Sequence, residues 1–333
     1  MGCWTRGSGC HGSARKVPLP PAGRFVMSTS APAIPERRRA PGAPGQLLGR
    51  LQRSWQEDWI GVTAMAVLVL IVLVAVLAPV IAPYDPIKIS SDNLVGPGPR
   101  HFFGTDQFGR DIFSRVLWGT RLTLLAPVVG IAISTVVGVP LGLLAGYGGR
   151  WMSGLIMRTM DVLLAFPGLL LALIVVAILG PGLLNLMVAI GISFIPVFAR
   201  VVYGSTLSAK GQDYVMAART VGCSPLRIMR RHILPNVMTQ IVVIASSAIG
   251  WAILTAATLN FLGFGVKLPT PEWGADLAAG KDWLEAGWWI STFPGLAITV
   301  TILAANYVGD SVAAALEPRS HWRENVQQVG MEV

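Results

Sequence analysis

Charge is scarce in this chain: of 333 residues only 13% are Asp, Glu, Lys or Arg, against 53% hydrophobic. A water-soluble domain carries about a quarter charged residues, so long stretches here have little with which to hold a hydration shell. A soluble globular protein is excluded, and a membrane protein is what is left. Cysteine is nearly absent too, three in all, with Cys3 and Cys10 far from Cys223. Three thiols build no disulfide framework, and no Cys/His cluster has zinc-ligand spacing, which excludes a stapled secreted fold and a structural zinc site. A phosphate-cradling G-x-x-x-x-G-K-[ST] loop is missing as well; Gly280-Lys281 lacks both the upstream glycine and the following hydroxyl. The chain therefore cannot power itself with a nucleotide. Acids are scarcer than bases, 17 against 26, for a net charge of +9.

What is there shows best in the gaps between charges, because a helix needs about 20 apolar residues to cross a bilayer and a charge at its centre is costly. Uncharged runs of 26, 28, 38, 34 and 24 residues lie between Asp58 and Asp85, Arg121 and Arg150, Asp161 and Arg200, His232 and Lys267, and Glu285 and Asp310. Gly180-Pro181-Gly182 splits the longest run into two spans joined by a tight turn. Six crossings follow, at 60–82, 122–146, 157–179, 183–203, 236–262 and 288–311, all helical because only internal hydrogen bonding satisfies a backbone in lipid. The reading is an all-α membrane protein with both termini on one side.

Lys and Arg choose the side. Residues 1–58, 147–158, 200–232 and the C-terminus hold 19 of the 26, and the opposite loops hold seven against eight acids. The positive-inside rule puts both termini and the 200–232 segment in the cytoplasm. Residues 1–58, rich in Pro and Gly and without a signal-length apolar core, are expected to be a disordered basic tail, with the six-helix domain over 59–320 and a short tail at 321–333. Arg37-Arg38-Arg39 lacks the hydrophobic stretch of a twin-arginine export signal and reads as a topology flank. Met27 is the more ordinary start, so residues 1–26 are read as an over-extended gene start.

Span two carries Gly130, Ser134, Gly138, Gly142 and Gly146, a small residue at every fourth position, which lets another helix approach closely where lipid removes the hydrophobic drive. Pro127, Pro140 and Pro167 are expected to kink their helices or free carbonyls. The segment His101 to Leu124 reads as glycine turns followed by a short helix along the outer interface, with Ile112, Phe113, Val116 and Leu117 on one face and Asp111 and Arg115 at i,i+4. Asp213 to Gly222 is helix-forming up to a glycine suited to the left-handed position, after which Ser224 and Pro225 supply an N-cap and a first helical residue. Leu226, Met229 and Ile233 then share one face of a second helix. A DNA-binding helix-turn-helix has the same outline, but tethering between two crossings denies it a duplex. The capped pair reads instead as a docking surface for a cytoplasmic protein.

On these residues the chain resembles the inner-membrane permeases of ATP-binding-cassette importers, specifically the second permease of the dipeptide, oligopeptide and nickel group. Asp213, Ala217, Ala218, Arg219, Gly222 and Ser224, with Ile233-Leu234-Pro235-Asn236, are similar to that family's Glu-Ala-Ala loop, with Asp213 standing for its glutamate. Gly104-Thr105-Asp106, Gly109-Arg110-Asp111 and Arg115 resemble the subgroup's outer segment. Asp161 to Pro167, Leu262 to Gly265, Phe293-Pro294-Gly295 and Gly309-Asp310 extend the likeness over roughly 57–320. The resemblance implies a type I importer transmembrane domain whose coupling loop, 204–235, seats in an ATPase. It implies no enzyme activity and no cofactor in this chain, ATP and Mg2+ being held by partner ATPases. It further implies a homologous second permease, two cytoplasmic ATPase subunits, an extracytoplasmic solute-binding protein, and a prokaryotic inner-membrane location. Peptides are the expected solute, with nickel, glutathione-like molecules and oligosaccharides as alternatives.

Two boundary acids offer a competing class. Asp161 and Asp310 on neighbouring helices have the residue type of an intramembrane aspartyl protease, but Met160 and Tyr307 stand where that family has tyrosine and glycine. The plainer expectation is that Asp161 pairs with Arg158 one turn away and that Asp310 meets the cytoplasmic interface or the coupling loop. Ser247, Thr255 and Asn260 are candidate pathway residues; they, Asn185, Ser193 and Asn306 are equally suited to helix–helix hydrogen bonds.

Overall fold

The computed structural model describes residues 59–316, and these are helical with irregular connections. The helices are α1 (Trp59–Ile81), α2 (Ile112–Tyr147), α3 (Arg150–Leu164), α4 (Gly168–Leu179), α5 (Leu183–Lys210), α6 (Asp213–Thr220), α7 (Pro225–Ile228), α8 (Leu234–Phe261), α9 (Trp273–Gly280) and α10 (Trp289–Leu316). By length and composition, α1, α2, α5, the continuous run Pro225–Phe261 and α10 are able to cross a membrane; α3 and α4 make a sixth span only if counted together, since they meet at 93°. The sequence expectations for 1–58 and 317–333 lie outside the described residues.

That bend corrects the reading of 157–179 as one continuous helix. Pro167 disfavours helical backbone at Phe166, so α3 stops at Leu164 and α4 restarts at Gly168. The turn at 180–182 is as expected, with Gly180 at φ +86° and Gly182 at φ +151°. Asn185 closes it by donating to the carbonyls of Leu179 (2.9 Å) and Gly180 (3.0 Å), orphaned at the end of α4.

The small-residue stripe of α2 faces α5. A Cβ on Gly130 would lie 2.6 Å from Ile190, on Gly142 2.6 Å from the Ala199 carbonyl, and on Gly146 2.6 Å from Thr206. Ser134 donates across the contact to the Gly191 carbonyl at 2.7 Å. Pro127 and Pro140 leave α2 unbroken. Leu186, Ile190 and Phe198 of α5 close the core against Ala252, Ala256 and Leu259 of α8.

A second correction concerns the outer segment. No separate interfacial helix exists there: Asp111 caps α2 directly, and the helix runs 36 residues from Ile112. At 1.5 Å per residue that is about 54 Å against a hydrocarbon core of about 30 Å, so its first turns stand beyond the bilayer. The connections 82–111 and 262–288 fold around them into what we term the cap. At the other end of the bundle, 211–233 forms a knob.

Candidate functional site

In the knob, Asp213 opens α6 and Arg219 closes it, each with the sign the helix dipole favours. Gly222, at φ +81° with open space around it, makes the turn. Ser224 sits at the N-cap and Pro225 at the first helical position, although the Ser224 side chain makes no capping bond. The second helix is not separate from span five, contrary to the capped pair expected. Met229–Ile233 is one π-helical turn leading straight into α8, with the Leu234 N–H reaching back to the Met229 carbonyl. Pro235 brings no N–H and its ring crowds the carbonyl four residues earlier, which accounts for the widened turn.

Underneath, Val215, Ala218, Ile228 and Ile233 pack on Val139, Leu143 and Val202 of the long helices. Tyr214 accepts a hydrogen bond at its hydroxyl from Asn236 Nδ2 (3.0 Å), tying α6 to α8. Lys210 Nζ donates to the carbonyls of Gly146 (3.3 Å) and Tyr147 (2.9 Å) at the end of α2, and Arg219 lies over the Tyr147 ring at 5.0 Å. The outer surface is different. Asp213, Ala217, Arg219, Gly222, Ser224 and Pro235 are exposed, beside Met216 (57% exposed), Val221 (83%) and Leu226 (61%). Leu226 therefore does not share the buried face of Met229 and Ile233. The knob thus sets an exposed apolar tip on a base with its own core.

The cap gathers the outer-segment residues into one buried network. Asp106 accepts at Oδ1 from the N–H groups of Phe108 (2.8 Å) and Arg110 (2.9 Å), and at Oδ2 from Arg110 Nε (2.5 Å). Asp111 accepts at Oδ2 from the Ser114 N–H (2.8 Å) and hydroxyl (2.7 Å), while its Oδ1 meets His101 Nδ1 at 2.9 Å. Thr105 Oγ1 donates to the Asp92 carbonyl and receives the Val95 N–H. Gly104, at φ +79°, would place a Cβ 2.6 Å from both Trp289 Nε1 and the Val95 carbonyl. Gly109 (φ +70°) is packed as tightly against Ser90. Arg115, buried, pairs with Asp276 and donates to the carbonyls of Pro86 (2.9 Å) and Pro269 (3.0 Å), so a single guanidinium joins both connections of the cap.

Asp276 and Glu272 went unnoticed in the sequence. Glu272, 1% exposed, caps α9 by accepting the Ala275 N–H at 2.8 Å and accepts from the Thr123 hydroxyl at 2.9 Å. Burial pushes its carboxyl up to about 7 despite those donors. Burial likewise raises Asp276, against the Arg115 guanidinium beside it. The only local signal was two acids in a short segment next to the bilayer.

The remaining candidates are scattered. Asn260 is buried with both amide atoms used, Nδ2 on the Ala256 carbonyl and Oδ1 on the Val266 N–H. Ser247 and Thr255 donate to the carbonyls four residues earlier in α8, at Val243 and Trp251. Ser193 turns to the Ile190 carbonyl. A Cβ on Gly250 would collide with Asn306, which marks a close approach of α8 and α10. Asp161 pairs with Arg200 of α5, not with Arg158, while Asp310 is exposed on α10. Among the described residues no group of His, Cys, Asp and Glu is arranged to hold a metal.

Comparison with known proteins agrees with this geometry. Residues 138–322 match the family described as binding-protein-dependent transport system inner membrane component, and residues 53–97 match the N-terminal TM domain of oligopeptide transport permease C. The chain is 44% identical to the di/tripeptide transport system permease protein DppC of Pseudomonas aeruginosa, over 76% of this chain and 86% of that one. It is 45% identical to the glutathione transport system permease protein GsiD of Escherichia coli, over 81% and 92%. Among solved structures, a chain of the inward-facing MetNI methionine ABC transporter matches with a TM-score of 0.51 at 17% identity, over 61% of this chain and 97% of that one.

Proposed function

The chain belongs to the binding-protein-dependent transport system inner membrane components, as a multi-pass permease subunit of an ATP-binding-cassette importer, and from that premise we propose that it forms half of a pathway for short peptides and is driven through its knob. In this reading the bent α3–α4 pair counts as one span, giving six. Both chain ends and the knob then face the cytoplasm, and the cap faces outward. The partners are a homologous permease, two ATPase subunits that hold ATP and Mg2+, and a solute-binding protein over the cap. Hydrolysis belongs to the ATPases; this chain contributes packing with two stable arrangements.

The observation that carries the reading is the knob's division of labour. Val215, Ala218, Ile228 and Ile233 lock it to α2, α5 and α8, while Met216, Val221 and Leu226 present an uncovered apolar tip beside Arg219. A partner that grips the tip in one nucleotide state and releases it in another shifts the bundle by its difference in affinity for the two arrangements. Lys210 and Arg219 on Tyr147 give that pull a route into α2 as well as α5 and α8. Thr255, half-buried on α8 near exposed Trp251, is the best of the pathway candidates; Asn260 is spent on the loop after α8. Short peptides are supported by the relatives, which are named for di- and tripeptides and for glutathione, itself a modified tripeptide.

The test is Ala217→Arg on the exposed face of α6. Expected is normal membrane insertion and amount, loss of co-purifying ATPase, and loss of labelled dipeptide uptake by the assembled system. Unchanged uptake at normal expression overturns the docking role. Glutathione outcompeting dipeptides at equal concentration would move the solute while leaving the coupling intact.

A further inference from the structure

Between the end of α1, the proline-rich turn after it and the 118–122 turn of α2 lies an open cavity of about 680 Å3, away from the knob and bordering the cap, whose Arg115 reaches the Pro86 carbonyl in its wall. Its floor is set by an unusual contact. Pro79 has no N–H, so the Ala75 carbonyl of α1 has lost its helical partner. Arg121 supplies one, donating from Nε to Ala75 O at 2.6 Å and from Nη2 to Val76 O at 3.3 Å, with the guanidinium 5.1 Å from the centre of the Trp118 ring. Ala75 precedes the end of α1 by six residues, about 9 Å at helical rise. With the end of α1 placed at the membrane surface, that depth corresponds to the boundary between head groups and acyl chains.

Arg121 is exposed there, and no carboxylate among the described residues lies within ion-pair distance of it. The two carbonyls use only part of its five-donor fork. A lone guanidinium at this depth is costly unless an anion meets it, and the anion that the surroundings supply in quantity is lipid phosphate. Asp85 also lines the cavity, exposed, its Oδ1 accepting the Ile87 N–H at 2.9 Å and with no cation paired with it among the described residues. Tyr84 forms the adjoining wall, held by its hydroxyl on the Arg100 carbonyl at 3.0 Å. Pro79, Pro83, Pro86 and Pro271 stiffen the walls, so little ordering remains to oppose binding.

We propose that this cavity is a lipid site for the head group of an ethanolamine phospholipid, with the phosphate on Arg121 and the ammonium facing Asp85. A glycerol head group offers Asp85 no cation, and a quaternary choline offers it no N–H donor. The site rests on the chain's place in a membrane and not on the coupling or solute readings. Its failure would leave both untouched.

Native mass spectrometry of the complete transporter, incubated with phosphatidylethanolamine, phosphatidylglycerol or phosphatidylcholine in mixed micelles, tests it. Expected is one retained phosphatidylethanolamine, about tenfold over either other lipid, the size of one charge-assisted contact. Asp85→Asn, which leaves the Arg121–Ala75 clamp alone, erases the preference for ethanolamine. Arg121→Gln and Trp118→Leu reduce retention of all three lipids. Equal retention of the three by the unaltered transporter, no retention because a neighbouring subunit covers the cavity, displacement by inorganic phosphate, or normal preference in Asp85→Asn would each overturn the proposal.

Discussion

The cap and the knob hang on the same long helices and are built by opposite means. The cap buries charge: Asp106, Arg110, Asp111, Arg115 and Asp276 are each under 10% exposed and are bonded to one another or to cap backbone. The knob buries only apolar side chains and keeps its charges outside. A buried, hydrogen-bonded charge network tolerates few alternative geometries because breaking one member strands another. A small apolar core under an exposed tip is able to move as a unit. On the proposed function, the first end is the frame and the second the handle.

Removing the centre of the frame should have the largest effect. Arg115→Met leaves the Asp276 carboxyl buried without its cation and takes the donor from two carbonyls, which should cost about 3–5 kcal/mol. Heat resistance in detergent should fall accordingly, and adding Asp276→Leu should restore most of it. If Arg115→Met alone is harmless, the cap is not a frame.

Matched glycines sharpen the contrast. Gly104 and Gly222 have nearly the same φ, +79° and +81°, but a Cβ meets Trp289 and Val95 at the first and open space at the second. Alanine at Gly222 should cost only the left-handed backbone term, about 1 kcal/mol, whereas at Gly104 overpacking should bring the total to roughly 3 kcal/mol. Equal losses in thermal unfolding would remove the distinction.

Glu272 makes the frame pH-dependent. Its folded value of about 7 stands above the ordinary 4.5, so the native protein holds an extra proton between those values. The resulting stability is complete below pH 4.5 and is lost as pH rises through 7. Glu272→Gln keeps an acceptor for the Ala275 N–H without the charge. It should match the parent at acid pH and exceed it at pH 8 by up to about 3 kcal/mol. A parent whose stability does not fall between pH 5 and 8 would contradict this.

The smallest stability effect belongs to the handle. Ala217→Arg, expected to abolish uptake, should change unfolding by no more than about 0.5 kcal/mol because Ala217 is exposed. Destabilisation comparable to Arg115→Met would mean that the knob too is structural.

Several of these features were legible beforehand. The spacing of Gly130, Ser134, Gly138, Gly142 and Gly146 announced a close helix contact, because a helical stripe is a local pattern and needs no knowledge of the partner. Gly222, Ser224 and Pro225 likewise announced a turn through backbone preferences of single residues. The outer segment misled for the converse reason. Residues 112–121 have a facial apolar pattern that suits an interfacial helix, and nothing local says that cap connections from 82–111 and 262–288 will wrap it and let α2 run on. Asp161 was assigned to Arg158 by sequence proximity, whereas Arg200 arrives from another helix.

By composition and order alone, the chain determined that it spans a membrane, where its apolar runs lie, that a turn falls at 180–182, and that it lacks a G-x-x-x-x-G-K-[ST] motif. These are properties of a segment against its solvent, and they are set before any segment meets another. Tertiary structure alone decided the fate of the polar groups. Arg115 met Asp276 from 161 positions away, Glu272 lost its water, and Arg121 met the carbonyl that Pro79 had left bare. Pairing of that kind depends on which surfaces come together in space, and distance along the chain carries no record of it.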